Sequence, residues 1–308
     1  MLSPRPSPLF EVPGQRARRR HSLYTMLTAA AALLVGVLVL VRLSGAGQFT
    51  AALWEPFTYE GVQRRILTGV VDTLTAFALA AVLSLLLGLL LAGGTLARHR
   101  PVRVTATTVV AFLRAVPVLI LVFTLYNLTA LRLLLDRTGT TLSGHLGDAG
   151  TWAAVHVTDV TLWALVLGVA LHNGAVQADI LRSGIRAVPR GQVEAAHALG
   201  MSRTQTAWSV VLPQAVRAML PSIVAQLAVT LKDTSLGFII MYEELLYVGK
   251  LLAQNIATPR GYPYLPVLFV VGLLYVAMCL AISALARRLA RRSTRAPNVS
   301  RDPEESRR

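Results

Sequence analysis

Cysteine, lysine and acidic residues are scarce in this 308-residue chain, and each scarcity removes a class of explanation. The single cysteine, Cys279, excludes an internal disulfide framework and a cysteine-based metal site. The six histidines contain no His-Glu-x-x-His pattern, so a helix-borne zinc protease site is missing. Only two lysines stand beside 28 arginines, and neither Lys232 nor Lys250 ends a Gly-x-x-x-x-Gly-Lys-Ser/Thr phosphate loop. Asp233-Thr234-Ser235-Leu236-Gly237 shares only its last three residues with a nucleophile elbow and lies in an apolar run, which disfavours an intramembrane hydrolase. Acidic residues number 15 against 30 basic ones, leaving a formal charge of +15.

What the chain has in abundance is apolar length. Hydrophobic residues make up 54% and the mean hydropathy is +0.58, too apolar for a soluble domain of ordinary composition. Stretches at 24–41, 67–92, 104–128, 161–178, 219–241 and 265–285 approach or exceed the ~20 apolar residues that cross a bilayer as a helix. With alternating spans and the amino terminus inside, the whole +15 excess falls on the cytoplasmic segments. External and intramembrane charges each cancel. This is the positive-inside pattern of a multi-pass protein with both termini cytoplasmic. A nucleic-acid partner is excluded on the same ground, because no basic patch with groove-reading elements is visible.

The expected fold is therefore all-α and polytopic, with about six transmembrane helices. Residues 1–22 and 289–308, rich in Arg, Pro and Ser, read as disordered cytoplasmic tails. Residues 23–43 read as an N-terminal transmembrane helix; Ser44-Gly45-Ala46 offers a signal-peptidase-like site, but the apolar run is longer than a signal core, so the helix is read as retained. Residues 44–66 form an external loop whose Trp54, Phe57 and Tyr59 suit the headgroup level. The helical core runs over 67–288. In its second span Pro117 predicts a bend or local unwinding, and Gly139, Gly144, Gly147 and Gly150 mark a flexible external connection.

One polar island interrupts the core at 179–220. Pro189-Arg190-Gly191 predicts a turn, followed by a short helix from about Gln192 that stops at Gly200. Pro213 and Pro221 bracket re-entry into the membrane. Such a helix, with small Ala195, Ala196 and Ala198, gives a partner groove close approach, while Glu194 can accept charge-assisted hydrogen bonds. A solvated connector is the plainer reading.

Glu194-Ala195-Ala196, then Gly200, then Leu212-Pro213, resemble the EAA loop of ABC-transporter permeases. The resemblance spans roughly 69–287 and includes Leu113-Arg114-Ala115-Val116-Pro117, Asp179-Ile180-Leu181-Arg182-Ser183-Gly184-Ile185 and Leu231-Lys232-Asp233-Thr234-Ser235-Leu236. This wording is similar to the histidine/glutamine/glutamate branch of polar amino-acid permeases, most of all the glutamate type. Asp179 stands where the family has Glu, Ser183 where it has Gly, and Ala115-Val116 where it has Gly-Thr, so the hydroxyl beside that proline is missing. The resemblance implies a five-helix permease core plus an N-terminal helix in a bacterial inner membrane. It also implies a second permease subunit, identical or related, and an ABC ATPase dimer docked on Glu194, Ala195, Ala196, Gly200, Leu212 and Pro213. An extracytoplasmic solute-binding protein would deliver the amino acid. No cofactor is expected on this chain, and ATP-Mg would be used by the partner ATPase.

Charged groups inside the apolar runs are the candidates for the substrate path. Lys232 and Asp233 lie mid-span, where a charge costs ~2.5–3.5 kcal/mol on insertion scales, so both should face protein or a wet cavity. They line the path or pair with each other or with Arg114. Arg114 offers a fork for a carboxylate, or a tie to Asp233 or to carbonyls freed near Pro117. Asn173 is a further cavity-lining candidate. The alternative mechanism is an ion- or proton-coupled secondary transporter using Lys232 and Asp233 as a relay.

Overall fold

The structure is a computed structural model that describes residues 14–138 and 158–294. Its long helices are α1 (Gln15–Gly45), α2 (Glu60–Thr95), α3 (Arg100–Ala115), α4 (Val118–Asn127), α5 (Val160–Arg186), α6 (Arg190–Ala198), α7 (Leu212–Asp233), α8 (Leu245–Asn255) and α9 (Tyr264–Thr294). A short helical turn, Arg203–Thr206, and a π-helical stretch, Ala207–Val211, lead directly into α7. Among the described residues five helices are long and apolar enough to cross a bilayer, and the bent pair α3–α4 would make a sixth.

α5 is the central post. Two thirds of its most apolar window (67%) is buried, against 33% of that of α2 and none of that of α1. Asp159 starts it by accepting hydrogen bonds from the Thr161 and Leu162 amides at 2.8 and 3.2 Å, which satisfies donors that the first helical turn leaves free. α2 packs along it through a stripe of small residues, Ala76, Ala80, Ser84, Gly88 and Ala92, while Gly69 and Thr73 further up the helix meet Leu245 of α8. Lipid supplies no hydrophobic drive between spans, so close backbone approach has to hold them together. A Cβ at Gly88 would sit 2.9 Å from the Gln177 Cβ. On the other side of α5, a Cβ at Gly168 would meet the Val122 backbone nitrogen at 2.8 Å, so α4 lies directly on the α5 backbone.

The stretch expected as one span at 104–128 is two helices bent by 95°. Val116 adopts an extended backbone (φ −79°, ψ 126°), as the residue before a proline prefers, and Pro117 caps α4. Both tail boundaries also differ from expectation. α1 begins at Gln15 and α9 continues to Thr294, because arginine is a good helix former and nothing after Gly14 breaks the pattern. α2 starts at Glu60 rather than 67, which turns part of the external loop into helix. The rest of that loop folds as 3₁₀ turns with Leu53 and Pro56 buried, and Trp54 stacks against Phe57 and Phe269 at centroid distances of 6.1 and 6.0 Å. Residues 1–13, the glycines at 139–150 and the residues beyond 294 lie outside the described residues.

Leucine at Gly168 should separate α4 from α5 at a cost of about 1–3 kcal/mol. Gly168→Leu is expected to melt well below the parent in a detergent thermal-shift assay. Gly93→Leu, placed where no atom lies within 4 Å, should melt with the parent.

Candidate functional site

The polar island folds as an exposed knob. Pro189 caps α6, which spans Arg190–Ala198, and Gly200 leaves it at φ +79°, a left-handed conformation that glycine adopts without a Cβ penalty. The chain restarts at a reciprocal capping box, with the Ser202 hydroxyl accepting the Gln205 amide at 3.3 Å and the Gln205 side chain accepting the Ser202 amide at 2.8 Å. From Arg203 the chain stays helical through the π-helical stretch Ala207–Val211 into α7, and Pro213, which has no amide hydrogen to donate, falls directly after that irregular stretch. Pro221 lies within α7 without ending it, so only Pro213 marks a boundary.

Glu194, Ala195 and Gly200 are exposed, as is Pro213, and Leu212 is half-buried. Ala196 is 4% exposed. It faces inward as α6 packs on the 203–211 segment, so the three alanines do not form one smooth outer face. Two residues that sequence reasoning passed over dominate the knob instead. Leu199 and Trp208 are 84% and 69% exposed, and Trp208 lies in the π-helical stretch. Both are large apolar side chains left open at or near the π-helical stretch. Between α6 and the following helix lies a groove of ≈ 550 Å³ lined by Val193, His197, Arg203 and Val211.

The interior polar residues form a cluster around α5. Asn173 is fully buried and donates to Asp233 Oδ2 at 2.8 Å and to the Val169 carbonyl at 3.2 Å, while its oxygen accepts from Gln226. It therefore does not line a cavity, as expected from sequence; it fixes the Asp233 carboxylate from behind. Neither expected pairing of Asp233 occurs. Its hydrogen-bond partner is Asn173, not Lys232 or Arg114, because α7 turns Asp233 toward α5 and Lys232 away from it. Lys232 is exposed and forms no ion pair among the described residues. It lies in the last turn of α7, where the helix dipole favours a cation.

Arg114 pairs with Asp179, joining the last turn of α3 to α5. Asp179 was expected to belong to the polar island, yet α5 continues to Arg186 and keeps it on the helix. A second tie at the same corner runs between His172 Nδ1 and the Leu113 carbonyl at 3.2 Å. Directly after Asp233 the α-helix gives way to a 3₁₀ stretch, Thr234–Ile240, ending at Met241 with φ 62°. Beyond it the fully buried Glu244 caps α8 through the Leu246 and Tyr247 amides at 2.7 Å each and accepts from the Tyr275 hydroxyl. Glu244 falls between the apolar runs at 219–241 and 265–285, where the sequence alone assigns it no role. Its position as an N-cap just before an apolar-periodic helix was the signal that could have found it. Among the described residues no cluster of His, Cys, Asp or Glu has the arrangement of a metal site.

One face of α7 remains uncovered. Ala218, Ser222, Ala225, Val229 and Lys232 are exposed and recur at helical spacing on one side. Ser222 lies about 15 Å below Lys232 along the axis, at ~1.5 Å per residue.

Comparison with known proteins agrees with this geometry. Residues 84–295 match the model of the family described as binding-protein-dependent transport system inner membrane component. The glutamate transport system permease protein GluD of Corynebacterium glutamicum is 37% identical over 250 residues, covering 81% of this chain and 82% of that protein. The glutamate/aspartate import permease protein GltK of Escherichia coli O6:H1 is 28% identical, covering 74% and 93% respectively. A crystal structure of an amino acid ABC transporter with histidines superposes with a TM-score of 0.59 at 25% identity, covering 75% of this chain and 94% of that one. With a family match over well more than half its length, and spans and connections of the same architecture, this chain belongs to the inner membrane components of binding-protein-dependent transport systems.

Proposed function

We propose that the chain is the permease subunit of an ATP-driven importer for a polar amino acid, glutamate or a near relative, and that it works by alternating access. The observation that carries this reading is the run of α5, unbroken from the buried Asn173 to Arg186, three residues short of the cap of the exposed α6. A push on α6 reaches the interior polar cluster through one helix. The names of the glutamate-type relatives support the substrate class.

In this reading an ATPase dimer on the cytoplasmic side receives α6, with Glu194 and Ala195 at the contact and Leu199 and Trp208 as apolar anchors. Hydrolysis of ATP-Mg is the partner's task, and this chain holds no cofactor. ATP shifts the permease between states only to the extent that the docked ATPases bind one of them better. A solute-binding protein delivers the amino acid to the outer face, and both termini lie in the cytoplasm. The exposed face of α7 lines the path against a second permease subunit. Lys232 meets substrate carboxylate there, Asp233 is held behind it by Asn173, and Arg114 lies further along. An interrupted helix next to these charges, α7 giving way to the 3₁₀ stretch, is the kind of backbone that binds ions or substrate at membrane depth.

Reconstituted with a partner ABC ATPase and solute-binding protein, the wild-type chain should accumulate L-glutamate only when ATP is present. Trp208→Ala and Glu194→Ala should each weaken retention of the ATPase on the immobilised permease, Trp208→Ala more, by about 2 kcal/mol as for a buried aromatic anchor. Equal retention by both variants would remove the knob from the contact. Lys232→Met should lower the uptake rate by about tenfold or more, the loss of one charge-assisted hydrogen bond. An unchanged rate with correctly inserted protein would take Lys232 off the path.

A further inference from the structure

Two segments that carry the family resemblance, 113–117 and 179–185, meet at a cleft of ≈ 390 Å³ between α3, α5 and α7. Arg114 and Asp179 stand in its wall as an ion pair, with the hydroxyl residues Ser183 and Ser222 beside them and the small Ala187 and Ala218 keeping it open. The side chains are 49% and 32% exposed, so the pair is not a sealed structural bridge. Neither charge can lie against hydrocarbon without a cost of ~2.5–3.5 kcal/mol, so the cleft opens onto water or onto protein. Its volume falls within the ~300–1,000 Å³ range of small-ligand pockets.

The chemistry of the wall is specific. Guanidinium has five N–H donors in a planar fork that fits a carboxylate bidentately. Among the described residues the pair uses only the Nη1 donor of Arg114 and only Oδ2 of Asp179, which leaves a fork edge and a carboxylate oxygen for a ligand. A ligand carrying a carboxylate and an ammonium on one carbon can engage both without breaking the pair. An exposed ion pair contributes only about 0–1 kcal/mol, so little opposes a shift to accommodate it.

We infer that this cleft is a binding station for the α-amino acid zwitterion. Arg114 takes the α-carboxylate, Asp179 takes the α-ammonium, and the side chain projects toward the open end. The station reads the part common to all amino acids, and discrimination among side chains lies elsewhere, on the Lys232 side of α7 or in the delivering protein. It lies on the same α7 face as Lys232, since Ala218 and Ser222 belong to both, and on the side nearer the α6 knob. This inference rests on the amino-acid importer reading.

The test uses the assembled permease–ATPase complex in nanodiscs, without solute-binding protein, and radiolabelled L-glutamate as the probe. Binding should be displaced by L-alanine, which shares only the zwitterion, and not by glutarate, which lacks the ammonium. Arg114→Gln and Asp179→Asn should each weaken binding about tenfold or more, as expected for one charge-assisted hydrogen bond. Ala187→Phe, which keeps both charges and fills the cleft, should weaken it as much; this separates a ligand site from a helix tie. The inference is overturned if glutarate competes as well as L-glutamate, or if the three variants bind like the parent. It also falls if the complex imports L-glutamate with ATP and binding protein but shows no binding that these variants change. That last result leaves the importer reading standing, whereas absence of ATP-dependent amino-acid import removes both.

Discussion

Hydrocarbon does not solvate charge, and that constraint organises this chain. A charged side chain at bilayer depth costs ~2.5–3.5 kcal/mol on insertion scales, so each one must find protein or water. Asp233 is held by Asn173, Arg114 by Asp179, and Glu244 by two amides and a tyrosine hydroxyl. Lys232 alone of these four is left on an open helix face. The uncovered side of α7 is therefore the side that, we propose, lipid does not touch, and the proposed path follows from this exclusion.

Holding those groups in place requires helices that approach closely without a hydrophobic drive. The small-residue stripe of α2 and the bare backbone at Gly168 let α5 be enclosed on two sides. Enclosed in this way, α5 carries polar side chains at its middle and still continues to Arg186, three residues short of the cap of α6. The same helix leads from the interior toward the exposed knob, and α3 is clamped to it next to the bend at Pro117. In the proposed function, coupling needs no separate wire, only a rigid post with one end in each region.

Much of this was legible in sequence, because span length and cap residues are local properties. Pro117 announced a bend, and Gly200 the end of α6. The angle of 95° was not legible, since it depends on how α4 seats against Gly168. Pairing was the weakest part. Lys232 and Asp233 are neighbours in sequence, but successive residues on a helix point about 100° apart, so adjacency argued for a pair that geometry forbids. Arg114 found Asp179 instead, a partner 65 residues away whose place on α5 was hidden by ending that span too early. Leu199 and Trp208 look like ordinary apolar residues in the chain, and only their exposure identifies them.

The central claim is that the α7 face bearing Ala218, Ser222, Ala225, Val229 and Lys232 never meets lipid. Nitroxide labels placed singly at these positions and at lipid-facing control sites on α1, in a Cys279→Ser background, allow collision with oxygen and with a water-soluble nickel chelate to be compared. The account predicts low oxygen accessibility on this face, with chelate access high where the path is open and low where a second subunit covers it. An oxygen signature matching that of α1 at these positions would contradict it.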